Sequence, residues 1–393
     1  MISNDHQKYL VSNYALPALS IVRGQGTKLW DSEGNEYLDF TSGIAVTNLG
    51  HNHPEWVRQL NKQSMILTHC SNLFSIPEQV RLAKRLVEKI GPGKVLFCNS
   101  GAEANEAMIK LARLSASHGK NGHRNEILVA ENGFHGRTMG ALSATASSKY
   151  RNGFDPLLPG FHFAPFNNLE AFVSLITEKT GAIMLESVQG EGGIHVADDA
   201  FLQGLEKICA SRNILLLLDE VQAGIGRTGE FLGFQKSGVM PGAVAMAKGL
   251  GAGFPIGALW VGKPWENIFT PGTHGTTFGG SPLACSAAHS VLDIMEKENL
   301  VQAAKLKGNF LAAKLNELRV KFSNLDLEVR GRGLMLALAM RKEPAPLIKR
   351  MRDNGLLVVG AAGNTIRLLP PLNVKQDEIV QAIAIIEKSL KDQ

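Results

Sequence analysis

The residues best suited to chemistry are an acid and an amine that each follow a predicted strand. Asp219 comes directly after the apolar run 214–218, and Lys248 comes directly after the apolar run 243–247. Apolar runs without alternation are typical of parallel strands buried on both faces, and α/β sheets bind ligands at the carboxyl ends of such strands. We therefore expect both side chains to reach one crevice. There Lys248 can form a Schiff base with pyridoxal phosphate, and Asp219 can face the pyridinium nitrogen.

One small-residue turn is a candidate for binding the phosphate of such a cofactor. The stretch NSGAEANEA, which begins at Asn99, predicts a strand end, a turn and a helix. The backbone N–H groups of Ser100, Gly101 and Ala102 would lie at the helix N-terminus, which is an anion-binding position. The same stretch also fits an ordinary N-cap with Glu103 in the first turn, and the two interpretations are compatible.

A second glycine-rich stretch, GTHGTTFGGSPLAC from Gly272, carries two neighbouring hydroxyl groups. Thr276 and Thr277 with bare glycine backbone around them suit phosphate binding. Taken alone, the stretch fits a flexible surface loop better.

The loop ENGFHGRT follows the predicted strand 127–130 and carries Phe134, His135 and Arg137. An aromatic side chain there can stack on a flat ring, and the arginine can hold a carboxylate through two parallel hydrogen bonds. A turn with a surface arginine explains the loop equally well.

The motif GIGRTG from Gly224 matches the GxGxxG pattern of dinucleotide-binding folds. Asp219 and Glu220 lie between the predicted strand and these glycines, where they would repel a pyrophosphate. The chain also lacks an acid between Glu230 and Glu266 that could bind a ribose. A nicotinamide enzyme is therefore disfavoured.

Two other pairs suggest chemistry that the rest of the sequence does not support. Glu186 and Glu191 would suit glycoside hydrolysis, but aromatic residues, which usually line a sugar site, make up only 6% of the chain. His51 and His53 resemble a metal pair, yet no acidic or cysteine partner is near in sequence, and Pro54 suits the start of a helix. We expect a structural role for both histidines.

Composition limits the class of protein. The hydrophobic content of 44% and charged content of 20% are ordinary for a globular enzyme, and a net charge of +5 on 393 residues gives little support for nucleic-acid binding. The four cysteines form no CxxC motif, which favours a reducing compartment. Without a signal pattern or a run of about 20 apolar residues, we expect a soluble cytoplasmic protein that binds no membrane.

The order of predicted elements gives an α/β fold. From about residue 77, predicted helices alternate with buried strands at 94–98, 127–130, 182–186, 214–218 and 243–247, which indicates a mostly parallel sheet with helices on both faces. We divide the chain into an N-terminal arm with a small meander (1–45), a large α/β domain that binds the cofactor (46–282) and a smaller α+β domain (283–393). The arm is expected to be extended and to join the small domain.

Taken together, the motifs resemble the class III (ω-amino acid) aminotransferases of pyridoxal-phosphate fold type I. The resemblance spans almost the whole chain. It is carried in order by KLWDSEGNEYLDF, GHNHP, NSGAEANEA, FHGRT, QGEGG, LLLLDEVQAGIGRTG, AMAKGLGAGFPIGA, HGTTFGGSPLAC and TIRLLPPL. Several specific motifs in the right order make a much stronger signal than any one of them.

The resemblance implies roles around the cofactor ring. Lys248 would form the Schiff base and then move the proton between the substrate carbon and the cofactor, while Asp219 would keep the pyridine nitrogen protonated. Phe134 and Val221 would enclose the ring from its two faces, and Gln222 would hydrogen-bond its phenolic oxygen.

The same resemblance implies a phosphate site shared between two chains. Ser100, Gly101 and Ala102 would hold the phosphate together with Thr277 of a second subunit. A complete site would then require a homodimer.

The resemblance also implies how two kinds of substrate are bound. Arg137 would bind the distal carboxylate of either substrate, and Arg367 would bind the α-carboxylate of glutamate. Glu191 would neutralise Arg367 when the amine substrate is present, and Thr276 would contact the substrate from the partner subunit.

Within the family, GIAV, HGTTFGG and KGLGAGFPIGA are most similar to enzymes acting on N2-acetyl-L-ornithine, with 2-oxoglutarate as the amino acceptor. Relatives that act on free ornithine carry a tyrosine where this chain has Ile44, which favours an N-acylated substrate. Ser187 and Ala223 also depart from the common pattern, which has proline and threonine there, and no change of chemistry is expected.

Other activities stay open at this point. The nearest keep the fold and change the amine to succinylornithine, succinyldiaminopimelate, 4-aminobutyrate or ornithine. An aminomutase or a decarboxylase would use the same scaffold, and a non-catalytic cofactor-binding regulator is disfavoured because Lys248, Asp219 and Arg137 are all present.

Overall fold

The computed structural model describes residues 2–117 and 124–391. Residue 1, residues 118–123 and residues 392–393 of the predicted domains lie outside the described part of the chain. The helices in this part of the chain are Ile2–Tyr9, Pro54–Ser64, Pro77–Ile90, Gly101–Ser117, Met139–Ala144, Ser148–Arg151, Leu169–Leu175, Asp199–Arg212, Pro282–Lys297, Leu300–Lys321, Ala345–Asp353 and Gln376–Lys391. None of them is long and apolar enough to cross a membrane.

A seven-stranded sheet forms the centre of the molecule. Its strands, in spatial order, are Gly93–Cys98, Gly257–Gly262, Ala243–Met246, Leu215–Asp219, Thr180–Glu186, Glu126–Ala130 and Phe161–Ala164. Adjacent strands are parallel except that Gly257–Gly262 runs antiparallel to both of its neighbours. The prediction of a mostly parallel α/β sheet is confirmed, but the strands Phe161–Ala164 and Gly257–Gly262 were not predicted. One is a four-residue edge strand, and the other begins and ends in glycine, so neither stands out as an apolar run.

Alternate residues of the buried strands face opposite layers of helices. Leu215 and Leu217 pack with the helix Gly101–Ser117 in one apolar cluster, whereas Leu216 and Leu218 belong to the cluster on the other face. Because both faces are covered, every side chain of Leu215–Asp219 is buried. This explains why the strand is apolar without alternation up to its terminal acid.

The helix Pro77–Ile90 shows how local sequence sets the element bounds. Proline occupies its first turn, where the missing N–H costs nothing, and Leu82, Leu86 and Ile90 are buried on one face at four-residue spacing. Gly91 ends the helix at φ 142°, a backbone conformation that L side chains rarely adopt.

The described residues also form two four-stranded sheets and a two-stranded one, Val188–Gln189 with His195–Val196. The predicted meander is present as Ile21–Gln25, Lys28–Asp31 and Glu36–Asp39, and Leu356–Leu357 pairs with its third strand. The C-terminal region supplies a second sheet, whose strands are Glu328–Arg332, Met335–Ala339, Thr365–Leu368 and Val359–Ala361. The division into three domains stays a prediction.

The sequence predicted an extended N-terminal arm, but part of the arm is helical. Residues Ile2–Tyr9 form a helix with Asp5 in its first turn and Lys8 in its last. Both charges are favourable at those ends of a helix dipole, which gives this polar segment a local reason to coil.

The GIGRTG motif has a structural role in this fold. Its Arg227 is completely buried and donates hydrogen bonds to the carbonyl oxygens of Leu334 and Pro370 and to Asn48 Oδ1. Burial lowers the pKa of Arg227 to about 9. The side chain therefore joins the glycine-rich loop to segments from both ends of the chain.

Candidate active site

A cavity of 460 Å³ opens at the carboxyl ends of the central strands. Its lining joins segments that are far apart in sequence, namely Val46, 99–102, Asn105, 134–137, Glu186, Asp219, Val221, Gln222, Ala247, Lys248 and 253–256. The predicted residues Ser100, Gly101, Ala102, Phe134, Arg137, Asp219, Val221, Gln222 and Lys248 are thus brought together in one site.

Asp219 is buried and fixed by three hydrogen bonds at the end of its strand. Its Oδ1 accepts from the backbone N–H of Val221 (2.9 Å), and its Oδ2 accepts from Asn105 Nδ2 and lies 2.7 Å from His135 Nδ1. Burial alone would lower the pKa of His135, but the hydrogen bond and charge of Asp219 outweigh this and raise it. His135 and Asn105 therefore fix the position of the Asp219 carboxyl group in the cavity lining.

Lys248 lies at the end of the neighbouring strand, at the start of a short 3-10 turn with φ 45°. Burial lowers the pKa of its amine below that of an exposed lysine, although Glu191 and Asp219 partly oppose the effect. A lower pKa increases the fraction of neutral amine, which is the form that reacts with a carbonyl group and accepts a proton.

The helix Gly101–Ser117 directs its N-terminus at the same cavity. Ser100 Oγ accepts from the N–H of Glu103 (3.1 Å), and the carboxylate of Glu103 accepts from the N–H of Asn99, so the cap predicted from sequence is present. A Cβ added to Gly101 would lie 2.5 Å from Val221 Cγ1, so this position needs glycine. The capped turn is compatible with an anion at the helix end.

Phe134 and Val221 line the cavity from different segments, and Tyr150 and Arg137 pack near the Phe134 ring. Tyr150 meets the Phe134 ring edge-on at 5.4 Å between centroids. The guanidinium of Arg137 lies 4.0 Å from the Tyr150 ring centroid and is exposed to solvent. Tyr150 was not predicted, since nothing in its local sequence marks it.

These features fit pyridoxal phosphate. The cavity offers an amine with a lowered pKa, a buried carboxylate for a pyridinium, a helix N-terminus for a phosphate, and apolar side chains for the faces of a ring. In addition, Asn105 Oδ1 and His135 Nε2 are buried without a hydrogen-bond partner among the described residues. Polar atoms of this kind usually have a ligand or water beside them.

Arg367 and Glu191 form a two-bond ion pair, although they are 176 residues apart in sequence. Arg367 Nη1 lies 2.5 Å from Glu191 Oε1, and Nη2 lies 3.1 Å from Oε2. Gln222 Oε1 and the carbonyl oxygen of Gly360 accept further hydrogen bonds from the same guanidinium. Arg367 is 1% exposed, whereas the Glu191 side chain is 20% exposed. Glu191 is therefore the partner that can swing towards solvent, whereas Arg367 would have to leave the core.

A second cavity of 350 Å³ adjoins the first, and Phe134 belongs to both linings. Glu191, Tyr150 and the backbone of 360–362 lie around it. Arg367 is thus near the place where the two cavities meet.

Thr276 and Thr277 are not part of the described cavity lining of their own chain. Thr276 Oγ1 accepts from the N–H of Gly279 (3.1 Å) and lies 3.4 Å from Asn99 Nδ2, while Thr277 is exposed. Their predicted contacts with a partner subunit's site stay predictions.

Ile44 lies in a left-handed turn, Ser42–Ala45, that precedes the cavity residue Val46. A φ of 65° is unusual for a β-branched residue. The turn is held because Asp39 Oδ1 accepts from the N–H of Ser42 and Ser42 Oγ donates to Leu369 O. The backbone of Ile44 is therefore fixed beside the site.

The histidine pair has acidic partners that sequence distance concealed. His51 Nε2 lies 2.8 Å from Asp39 Oδ2, and His53 Nε2 lies 3.1 Å from Glu298 Oε1. Within residues 2–117 and 124–391, no group of three or more potential ligands could hold a metal ion.

Comparison with known proteins gives one consistent family. The sequence matches the class-III aminotransferase family over residues 10–390. It is 45% identical to the acetylornithine aminotransferase of Caldanaerobacter subterraneus over 98% of both chains, and 44% identical to that of Aquifex aeolicus over 97% of this chain and 100% of the other.

Solved structures agree. The ornithine aminotransferase of Toxoplasma gondii superposes with a TM-score of 0.94 at 33% identity, covering 99% of this chain and 94% of the other. The acetylornithine aminotransferase of Elizabethkingia anophelis gives 0.87 at 31% identity, covering 99% and 98%. The predicted pyridoxal-phosphate fold type I is confirmed, and the chain belongs to the class-III aminotransferase family.

Proposed function

We propose that this enzyme transfers an amino group between N2-acetyl-L-ornithine and 2-oxoglutarate, giving N-acetyl-L-glutamate 5-semialdehyde and L-glutamate, a step of arginine biosynthesis. The observation that carries the proposal is the Glu191–Arg367 ion pair beside the Lys248 cavity. An arginine that can be covered or released suits an enzyme that must bind both a dicarboxylate and an acylated amine. The names of the most similar relatives support the same substrate.

Pyridoxal phosphate, when bound, supplies an electron sink for the bond broken at the carbon that carries the amine. Lys248 Nζ would hold the cofactor and, once displaced by the substrate amine, take the proton from that carbon and return it. Its lowered pKa increases the fraction of neutral amine that is available to accept this proton.

The remaining residues orient the reacting groups. Asp219, held by Asn105 and His135, would provide the negative charge that stabilises a protonated ring nitrogen. Phe134 and Val221 would restrict the ring to one plane, Gln222 would reach its phenolic oxygen, and the helix N-terminus at Ser100, Gly101 and Ala102 would bind the phosphate.

Substrate selection would depend on two arginines. Exposed Arg137 would bind the distal carboxylate in either half-reaction, and buried Arg367 would bind the α-carboxylate of glutamate after Glu191 moves away. With acetylornithine, Glu191 would stay on Arg367, because an unpaired buried charge facing an uncharged chain would cost several kcal/mol.

Ornithine is the second candidate donor, since an ornithine aminotransferase superposes closely on this chain. Ile44 argues against it, because an isoleucine side chain offers no hydrogen-bond acceptor to the extra ammonium group of ornithine. Succinylornithine, succinyldiaminopimelate and 4-aminobutyrate remain outcomes of the test below.

A homodimer is part of the proposal. Large apolar side chains are exposed at Leu73, Phe74 and Phe278, and Phe278 directly follows exposed Thr277. Apolar surface of this kind beside a site favours association, and it would bring Thr276 and Thr277 of one chain to the other chain's cavity.

The experiment is a steady-state comparison of amino donors with 2-oxoglutarate as acceptor. We expect kcat/KM for acetylornithine to exceed the values for ornithine and 4-aminobutyrate by about 10²-fold or more, as expected when a buried charge goes unpaired. A higher value for ornithine or 4-aminobutyrate would change the substrate and keep the reaction class. No glutamate formed from any donor would overturn the proposal.

Glu191→Ala tests the proposed neutralisation of Arg367. We expect the acetylornithine half-reaction to slow by about tenfold or more, because Arg367 is left unpaired, while the glutamate half-reaction changes by less than about threefold. Single-turnover absorbance changes with each donor measure the two rates. Glu178→Ala, which removes an exposed acid that lines neither cavity, is the control. Equal losses in both half-reactions would exclude selective neutralisation.

A further inference from the structure

Glu186 is a buried acid of the site to which the proposed reaction gives no role. It ends the strand Thr180–Glu186, is paired in register with Asp219 on the adjacent strand, is 5% exposed and lines the main cavity. From its sequence position alone, Glu186 suggested only glycoside hydrolysis. A carboxyl group buried this deeply needs hydrogen bonds or neighbouring charges to offset the cost of desolvation.

Its two oxygens accept hydrogen bonds from two different loops. Oε2 accepts from the N–H of Phe134, and Oε1 accepts from the N–H of Gly190, each at 3.1 Å. Phe134 lines the cavity, and Gly190 directly precedes Glu191, the acid that covers Arg367. One carboxyl group therefore joins the two segments that the proposed function uses for ring stacking and for substrate exchange.

The Gly190 loop is also closely packed. A Cβ added to Gly190 would lie 2.4 Å from the Gln222 side-chain amide, and Gln222 Oε1 accepts from Arg367. Gly190 therefore packs directly on the Gln222 side chain, with no room for a side chain between them. We expect a change in the Glu186 hydrogen bond to shift this contact and the position of Glu191, the next residue.

The charged neighbours of Glu186 act in opposite directions. Desolvation raises the pKa of Glu186 to about 7, Asp219 adds to this, and His135 and the two N–H groups oppose it. Lys248 is the other charged group that interacts with it. As pH rises through about 7 the carboxyl becomes charged, and an ionised acceptor binds both N–H groups more strongly.

We propose that Glu186 is a positioning residue that couples Phe134 to the Glu191 loop. Through Glu186, the stacking of Phe134 on the cofactor and the pairing of Glu191 with Arg367 depend on each other. This inference rests on the proposed function, because it assigns a consequence to the movement of Glu191. Among the described residues, no hydrogen bond joins Glu186 to the Lys248 amine, to Arg137 or to Arg367. Its effect on the reaction is therefore indirect.

The primary test is Glu186→Gln in the holoenzyme. An amide has one oxygen, so it can accept from only one of the two N–H groups and presents a donor to the other. We expect the acetylornithine half-reaction to slow by about tenfold and the glutamate half-reaction by about threefold or less, because the covered state of Arg367 is weakened. The matched control is Glu178→Gln, an exposed acid that lines neither cavity, which should match the wild type.

Two further readouts do not depend on turnover. The dissociation constant of pyridoxal phosphate, titrated into the cofactor-free variant, should rise about threefold or more as Phe134 loses its anchor. In the wild type, amide hydrogen exchange of segments 131–136 and 188–193 should slow together as pH is raised through 7, after correction for the intrinsic rate. Exchange needs no variant, so it decides the question even if Glu186→Gln fails to fold.

The coupling is overturned if only one segment gains protection, or if Glu186→Gln slows both half-reactions equally with unchanged cofactor affinity. Failure of the proposed function looks different. In that case acetylornithine would not react even with the wild type, and the exchange and cofactor measurements would still decide whether Glu186 joins the two loops.

Discussion

Replacing Lys248 with alanine is expected to reduce transamination by about 10⁴-fold or more, the upper range for loss of a positioned proton-transfer group. The variant loses both the amine that holds the cofactor and the base beside the reacting carbon. The large cavity should still admit the cofactor, because the helix N-terminus and Asp219 remain. Glutamate production from acetylornithine measures the loss, and cofactor absorbance measures binding.

Lys179→Ala provides the matched control, since it removes an exposed lysine away from the cavity lining. It should have wild-type activity. If Lys248→Ala kept a rate within about tenfold of the wild type, Lys248 could not be the proton-transfer group.

Asp219→Asn is expected to reduce kcat by about 10²-fold or more while the protein stays folded, as for loss of a preorganised electrostatic contact. The amide has nearly the same shape but carries no charge to stabilise a protonated ring nitrogen. It also removes the charge that raises the pKa of His135.

The same variant has a predicted pH signature in stability. A histidine whose folded pKa is raised contributes stability below its ordinary pKa of 6.5, and that contribution is lost as pH rises through the folded value. The difference in Tm between the wild type and Asp219→Asn should therefore be largest at about pH 5–6, below the ordinary histidine pKa, and smaller at higher pH. Asp198→Asn, an exposed acid, is the control. An Asp219→Asn enzyme with normal kcat would contradict the role of this carboxylate.

The meeting of Asp219 and Lys248 in one cavity could be predicted because the signals for it are local in sequence. Asp219 and Lys248 each follow an apolar run, and parallel strands bring their carboxyl ends to one edge of a sheet. The capped helix start at Ser100 could be predicted for the same reason, since a strand end, small residues and a helix start are all visible in one stretch.

The supporting residues could not be predicted, because their partners are distant in sequence. His135 and Asn105 meet Asp219 across 84 and 114 residues, and Arg227 bonds to a carbonyl oxygen 143 residues away. No local pattern records such contacts. The ion pair of Arg367 with Glu191 was anticipated only through family resemblance, and its substrate role stays a prediction.

The most direct test of the central claim is an absorbance titration of the purified holoenzyme with single amino donors and no keto acid. We predict that acetylornithine and glutamate each convert the absorbance band of the bound cofactor at low concentration, whereas ornithine and 4-aminobutyrate require far higher concentrations. A response to ornithine or 4-aminobutyrate at lower concentration than acetylornithine would contradict the substrate and leave the reaction class intact. A cofactor band that no amino donor changes would contradict the account of this cavity as a transamination site.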